Sequence, residues 1–256
     1  MKIYFNANNK AHLETLQACK VKNVMLSFRY SYANISKFHG KFSNVFVVAG
    51  NKTTPERYYE LLKKHKELYN YATQFDVFYN MIDTLKYYKK EREIGIDWTL
   101  PVLQENFLHH LSQLRPSPDT YVCLGEIHGR EETEDQIRKL PANLKYHGLA
   151  KGRFITQTKM FESLDTSGWI SAAMSKKCEI WNNNSTNFMF FGNKGKGMIP
   201  MLNHACEVHK EALEMIGVKK QDIIDNDYYA LMKAPLALLY IPMCKQLNIL
   251  NENFSF

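Results

Sequence analysis

Short runs rich in β-branched and aromatic residues alternate along the chain with longer polar segments whose apolar residues return every three or four positions. The runs are KIYF (2–5), NVMLSF (23–28), NVFVVAG (44–50), DVFYNMID (76–83), WTLPVLQE (98–105), TYVCLGEI (120–127), KYHGLA (145–150) and FESLD (161–165). Many are apolar at consecutive positions, as strands are when both faces of their sheet are covered. The clearest intervening helix is TPERYYELLKKHKELYNYAT (54–73). Thr54 suits its N-cap and Pro55 its first turn. Tyr58, Leu61, Leu62, His65 and Leu68 then form one apolar stripe. DTLKYYKKERE (83–93), NFLHHLSQL (106–114) and EETEDQIRKL (131–140) read as further helices, the last acidic at its start and basic at its end.

Strand–helix alternation carried to an eighth strand predicts an α/β fold, a TIM-like (β/α)₈ barrel over residues 1–170. The short connections between strands two and three and between seven and eight keep a doubly wound open sheet as the alternative. Beyond residue 170 the rhythm breaks. WNNNSTNFMFFGNKGKG (181–197) is polar and glycine-containing. MIPMLNHACEVHKEALEMIGV (198–218) and DYYALMKAPLALLYIPMCKQL (227–247) look helical, with Pro235 and Pro242 limiting the second. Residues 171–256 are therefore expected to form a helical extension packed on the barrel, within the same domain.

Composition narrows the class. At 256 residues the chain is long enough to bury a core without staples. The five cysteines are scattered, which argues against a disulfide framework or a cysteine-rich zinc site and for a reducing, cytoplasmic setting. His204, Cys206 and His209 in HACEVH have metal-like spacing but no further ligand pair near them, so no metal is expected. No run of about 18 apolar residues suggests a membrane span. The N-terminus lacks the apolar core of a signal sequence. A net charge of +7 favours a polyanionic partner.

In a (β/α)₈ barrel the chemistry sits where strands end. The expected ends carry Ser27, Phe28 and Arg29; Ala49 to Lys52; Asn80 and Asp83; Gln104 and Glu105; Gly125, Glu126 and His128; His147, Gly148 and Lys151; Asp165, Ser167 and Trp169. Each alone is more readily an ordinary turn residue than a ligand contact. As a set they suggest a site, in which Asp83, Glu105, Glu126 and Asp165 can divide into a nucleophile and an acid/base pair. Gly125 and Gly148 stand where a flat ligand needs close backbone approach, or where a bulge or tight turn needs glycine.

The motifs VMLSFRY, DVFYNMID, LPVLQEN, YVCLGEIHG, KYHGLAKG and SLDTSGW, in that order across roughly residues 21–175, resemble the tRNA-guanine transglycosylase superfamily. The likeness is to its compact phage-type members, which exchange guanine for a 7-deazaguanine in DNA. The resemblance implies a (β/α)₈ barrel in which Asp165 is the nucleophile toward the sugar C1′ and forms a covalent intermediate. It implies a guanine or 7-deazaguanine site drawn from Asp83, Gln104 and Gly125, joined here by Arg29, Glu126, His147 and Trp169. Asp83 and Glu105 complete the catalytic set, with no cofactor. Lys52, Lys151, Arg153, Lys176 and Lys177 are candidates for the nucleic-acid backbone, and Asn193 to Gly197 for a gripping loop.

Two departures qualify the likeness. The family's strand-three Asp, its acid/base, is replaced by Val48 in VVAGNK, leaving Glu105 or Glu126 as substitutes. The Cys₃His zinc spacing of the tRNA-acting members is absent, which favours DNA or another nucleic acid over tRNA. Three functions remain open: a pentosyltransferase exchanging a base in DNA, a barrel that binds a purine or nucleic acid as a subunit of a modification machine, and a hydrolase that releases the base.

Overall fold

A computed structural model describes residues 1–28, 35–50, 53–114, 116, 120–127, 131–150, 161–182, 185–190 and 198–256. The chain divides into two compact units, Met1–Lys10 with Asn23–Thr166, and Ala11–Lys22 with Ser167–Phe256.

The first unit is built on eight parallel strands: β1 Lys2–Ala7, β2 Asn23–Ser27, β3 Asn44–Val48, β4 Tyr71–Ala72, β5 Val102–Leu103, β6 Tyr121–Ile127, β7 Lys145–Ala150 and β8 Ser163–Thr166. They lie in the order β4-β3-β2-β1-β8-β7-β6-β5. Parallel strands need crossovers, and the helices between them supply these: α1 Lys10–Ala18, α2 Pro55–Lys64, α3 Met81–Glu93, α4 Phe107–Leu114 and α5 Glu131–Arg138. Of these, α1 belongs to the second unit.

The sheet curls on itself. Phe46 of β3 stacks on His147 of β7 with ring centroids 4.5 Å apart, although three strands separate them in the ladder. Tyr71 of β4 meets Tyr121 of β6 edge-on at 5.4 Å. Tyr4, Met25, Phe46, Val102 and Cys123 fill the concave side, with Val48, Tyr71, Leu100 and Leu149 against them. The ladder stops at β4 and β5, and one isolated parallel bridge, Thr73↔Leu100, spans the two edges. There the Leu100 N–H donates to the Ala72 carbonyl and the Gln74 N–H to the Leu100 carbonyl, each at 2.8 Å. Tyr58, fully buried on α2, donates its hydroxyl to the Thr73 carbonyl at 2.9 Å.

The fourth strand departs from the sequence expectation. It is the two-residue Tyr71–Ala72, inside the segment expected to be helical. Residues 76–83 are a turn followed by the start of α3. α2 ends at Lys64, and a single 3₁₀ turn, Lys66–Leu68, follows before the chain enters β4. The cap of α2 is as expected: the Thr54 side chain accepts from the Arg57 N–H, and Pro55 opens the helix.

The second unit contains α1, α6 Gly168–Ser175, an antiparallel hairpin of β9 Lys177–Asn182 and β10 Ser185–Phe190, and a run of helices: α7 Met198–Val208, α8 Lys210–Met215, α9 Lys220–Ile224, α10 Tyr228–Pro235, α11 Ile241–Gln246 and α12 Leu250–Asn253. The hairpin lies partly in the stretch read from sequence as polar and glycine-containing. A π turn, Leu236–Tyr240, joins α10 to α11, so the helical path passes both prolines. The Ile241 N–H reaches back five residues to the Leu236 carbonyl. Such a register accommodates Pro242, which has no N–H to give an ordinary helix. No described helix is long and apolar enough to cross a membrane.

Candidate functional site

The inner face of the first unit changes character along the strands. Its middle is aromatic and apolar, whereas its C-terminal end carries polar side chains. β8 places Ser163 and Asp165 two residues apart and so on the same face. Asp165 is level with Tyr4 of β1. One turn of the pleat further along β1, the Asn6 side-chain amide donates to Asp165 Oδ2 at 2.7 Å. That bond fixes the rotation of the carboxylate. Asn6 is not among the residues expected from sequence; carrying the alternation of KIYF one residue further, from Tyr4 to Asn6, finds it.

The carboxylate that follows β4 is Asp76, not Asp83. Asp83 sits in the first turn of α3, where its N–H donates to the Asn80 side chain at 3.0 Å. Its carboxylate accepts from the Asn80 amide at 2.7 Å and from Lys86 at 2.8 Å. This is helix-capping geometry. Asp76 follows the Thr73 bridge and the buried Gln74 and Phe75. Burial above all, and then the negative charges of Asp76 and Asp165, push the wholly buried Cys123 thiol well above its ordinary range. Both carboxylates thus act electrostatically on this thiol of β6.

Gln104, at the end of β5, is buried. Its Nε2 donates to the Val77 carbonyl at 3.0 Å. Its Oε1 has no hydrogen-bond partner among the described residues, and neither have Ser27 Oγ, Tyr4 Oη and His147 Nε2. Such atoms are costly to bury unsatisfied. Gly125 is level with Leu149 and begins an irregularity in the β6–β7 register. A Cβ there would meet Leu103 O at 3.5 Å and Gln104 Cγ at 3.6 Å, ordinary contacts that the protein alone would tolerate. Gly148 differs, since a Cβ would come within 2.5 Å of Leu164 Cδ2 and 3.2 Å of Phe161 Cε1. Its glycine is explained by packing.

His147 lies deeper, among Tyr4, Phe46 and Tyr121. Burial pushes its pKa down to about 3, so the ring is neutral. Ser163 Oγ bridges it to Tyr121, contacting the Tyr121 hydroxyl on one side and His147 Nδ1 at 2.6 Å on the other. Val48 ends β3 level with Ser27 and packs against the apolar cluster, so the inner face at β3 holds no carboxylate.

The remaining expected residues are dispersed. Glu105 is exposed just past β5. Trp169 is fully buried in the second unit, its ring edge-on to His12 at 5.3 Å, and presents no face for stacking. Lys176 is exposed in the second unit, and Lys177 begins β9. Arg29, Lys52, Lys151, Arg153 and the 193–197 loop lie outside the described residues, as does the side chain of Glu126. In HACEVH, Cys206 is buried, and His209 Nε2 donates to the Trp181 carbonyl at 3.0 Å. No group of three or more potential metal ligands converges among the described residues.

No protein-family model matches the chain, and no curated protein matches it.

Proposed function

We propose that the first unit is a (β/α)₈ barrel that exchanges a purine base in nucleic acid, with DNA as the polymer and a guanine or 7-deazaguanine as the base. The observation that carries this proposal is the setting of Asp165. It is a carboxylate oriented by Asn6 on the inner face of β8, sharing the Cys123 surroundings with Asp76. At the ends of other strands of the same sheet, Gln104 Oε1 and Ser27 Oγ retain unused hydrogen-bonding capacity.

In the exchange, Asp165 Oδ attacks C1′ as the bond from C1′ to the base nitrogen breaks, and the bond electrons leave with the base. The departing base takes up a proton. The incoming base gives up its own, attacks C1′ and frees Asp165. Asp76 takes the part that the resemblance attached to Asp83, holding the base edge. With Val48 on β3, it also takes on the proton transfer that the resemblance gave to a strand-three Asp. Bare backbone at Gly125 lets the base lie against β6 beside Gln104.

Incubating the protein with DNA and labelled guanine tests this. Wild type is expected to incorporate label. Asp165→Ala is expected to lose roughly 10³-fold or more, as removal of a nucleophile does. Asp76→Asn is expected to lose strongly and Asp83→Ala little. No incorporation by wild type would end the exchange proposal, and accumulation of abasic sites instead would assign hydrolysis. The second function, a barrel that only holds the base, is favoured by the apolar packing of Val48. Calorimetric guanine binding without exchange or base release would select it.

A further inference from the structure

Between Asp76 and α3 the chain makes a tight turn whose tip is aromatic. The Asn80 N–H donates to the Val77 carbonyl at 3.0 Å, which closes a turn with Phe78 and Tyr79 at its two central positions. Tyr79 has φ +58°. Glycine or asparagine normally takes such a position, because a Cβ there crowds the backbone. Phe78, Tyr79 and Ile82 are 57%, 69% and 70% exposed. The Phe78 and Tyr79 rings meet edge to face with centroids 4.4 Å apart. An apolar side chain held in a strained conformation and turned to solvent is costly twice over, and no contact among the described residues repays it.

The tip is rigidly mounted. The Val77 N–H donates to Thr84 Oγ1 at 2.9 Å, and the Val77 carbonyl also accepts from Gln104 Nε2 at 3.0 Å. Gln74 Nε2 holds the Thr84 carbonyl at 2.8 Å. The aromatic pair is thus joined by hydrogen bonds to the β5 residue of the candidate site and stands two residues from Asp76. Along α3 the exposed positions after Ile82 are Lys86, Lys89, Lys90 and Glu93, three bases to one acid, with Lys86 paired to Asp83 at 2.8 Å and Lys90 to Glu56 at 3.6 Å. Aromatic faces beside a row of lysines suit bases and phosphates together.

We propose that Phe78 and Tyr79 form a stacking platform for an unpaired nucleobase flanking the one drawn into the mouth of the strands. It rests on the nucleic-acid function proposed above. Stacking asks for exposed, immobile rings and tolerates any base, so the platform contributes affinity without choosing sequence.

The test uses the whole chain and a fluorescently labelled single-stranded deoxyoligonucleotide, read by anisotropy at several salt concentrations. Thermal unfolding and calorimetric binding of free guanine are measured beside it. Phe78→Ala is expected to weaken oligonucleotide binding about 5- to 150-fold, the range of one lost stack. Tyr79→Gly is expected to weaken it similarly while leaving Tm unchanged or higher, since glycine relieves the positive φ. The salt slope and guanine affinity are expected to match wild type, because neither phosphate contacts nor the base pocket are altered. Oligonucleotide affinities equal to wild type in both variants would overturn the platform and leave the base-exchange function standing. A wild type that binds no oligonucleotide would overturn both. Self-association seen by sedimentation and abolished by the two substitutions, with oligonucleotide binding intact, would assign the patch to a second copy of the chain instead.

Discussion

Two buried titratable residues of the first unit pull stability in opposite directions as pH changes. Glu91 on α3 is fully buried. It accepts from the Phe75 N–H at 2.7 Å and from the Thr99 hydroxyl at 2.6 Å. Burial raises its pKa to about 7 against those two bonds and the nearby Arg92, with Asp76 adding to the rise. Between pH 4.5 and about 7 the folded chain keeps a proton that the unfolded chain releases, so the Glu91 contribution falls as pH rises through that window, by about 3 kcal/mol. His147 is lowered from 6.5 to about 3. There the unfolded chain binds a proton that the folded chain refuses, so stability falls as pH drops, by about 5 kcal/mol at the end of the window. From pH 6.5 down to 4.5 the two slopes oppose each other. Glu91→Gln keeps an acceptor for Phe75 and removes one slope. Its urea midpoint is expected to fall steadily below pH 6.5, where wild type changes less. A flat profile in that variant would mean that His147 is not held neutral by the fold. In the sequence Glu91 is one acid among several charges on a helix, and His147 is one polar residue in a strand. Their titration comes from burial by residues distant in the chain, which periodicity does not report.

At the scale of elements, the weakest ladder in the first unit is the join between β4 and β5. Two two-residue strands meet there through one bridge, whereas β2 pairs with β3 over five residues. Hydrogen exchange at Gln74 and Leu100 is therefore expected to be at least tenfold less protected than at Val24 and Met25. Equal protection would show that Tyr58, Glu91 and Thr99 brace the join as firmly as an unbroken ladder. The same brevity hid β4 from the sequence. Two residues carry no period, and Tyr71 and Ala72 continue the apolar spacing of α2. DVFYNMID has strand-like composition, but its Phe78, Tyr79 and Ile82 face solvent and its polar residues build a helix cap. Hence the pattern points to Asp83, at the end of that run, rather than to Asp76 at its start. The longer strands of the sheet are legible because each spans enough positions to show both a buried face and turn residues beyond it; the two-residue β5 is legible only because it sits inside the strand-like run WTLPVLQE. The π turn was not: two prolines in a helical run predict interruption, and only local hydrogen bonding shows how the helix absorbs them.

At the scale of the molecule, the second unit is drawn from two separate segments of chain. Ala11–Lys22 follows β1 yet belongs to the second unit, where His12, Leu13 and Leu16 are buried. The C-terminus closes on it: the Lys22 N–H donates to the Asn253 carbonyl and the Ser255 N–H to the Lys20 carbonyl, each at 2.8 Å, and Val21 bridges Phe254. A fragment of residues 167–256 alone lacks the segment that Phe254 and Trp169 pack with, so it is expected to give poorly dispersed amide NMR spectra. Adding a peptide of residues 11–22 is expected to restore dispersion. A well-dispersed spectrum from the fragment by itself would show that the segment is dispensable to the second unit. Sequence by itself determined the α/β class, most of the parallel strands, the principal helices and the position of Asp165 at the end of the last strand of the sheet. Each of these is written in the local spacing of apolar residues and in the turn residues that interrupt it. Tertiary structure decided which acid follows β4, which glycine answers to packing, which polar atoms stay unpaired and to which unit the first helix belongs. Those properties depend on which distant side chains come within a few ångströms, and that is fixed by the curl and register of the sheet rather than by neighbours along the chain.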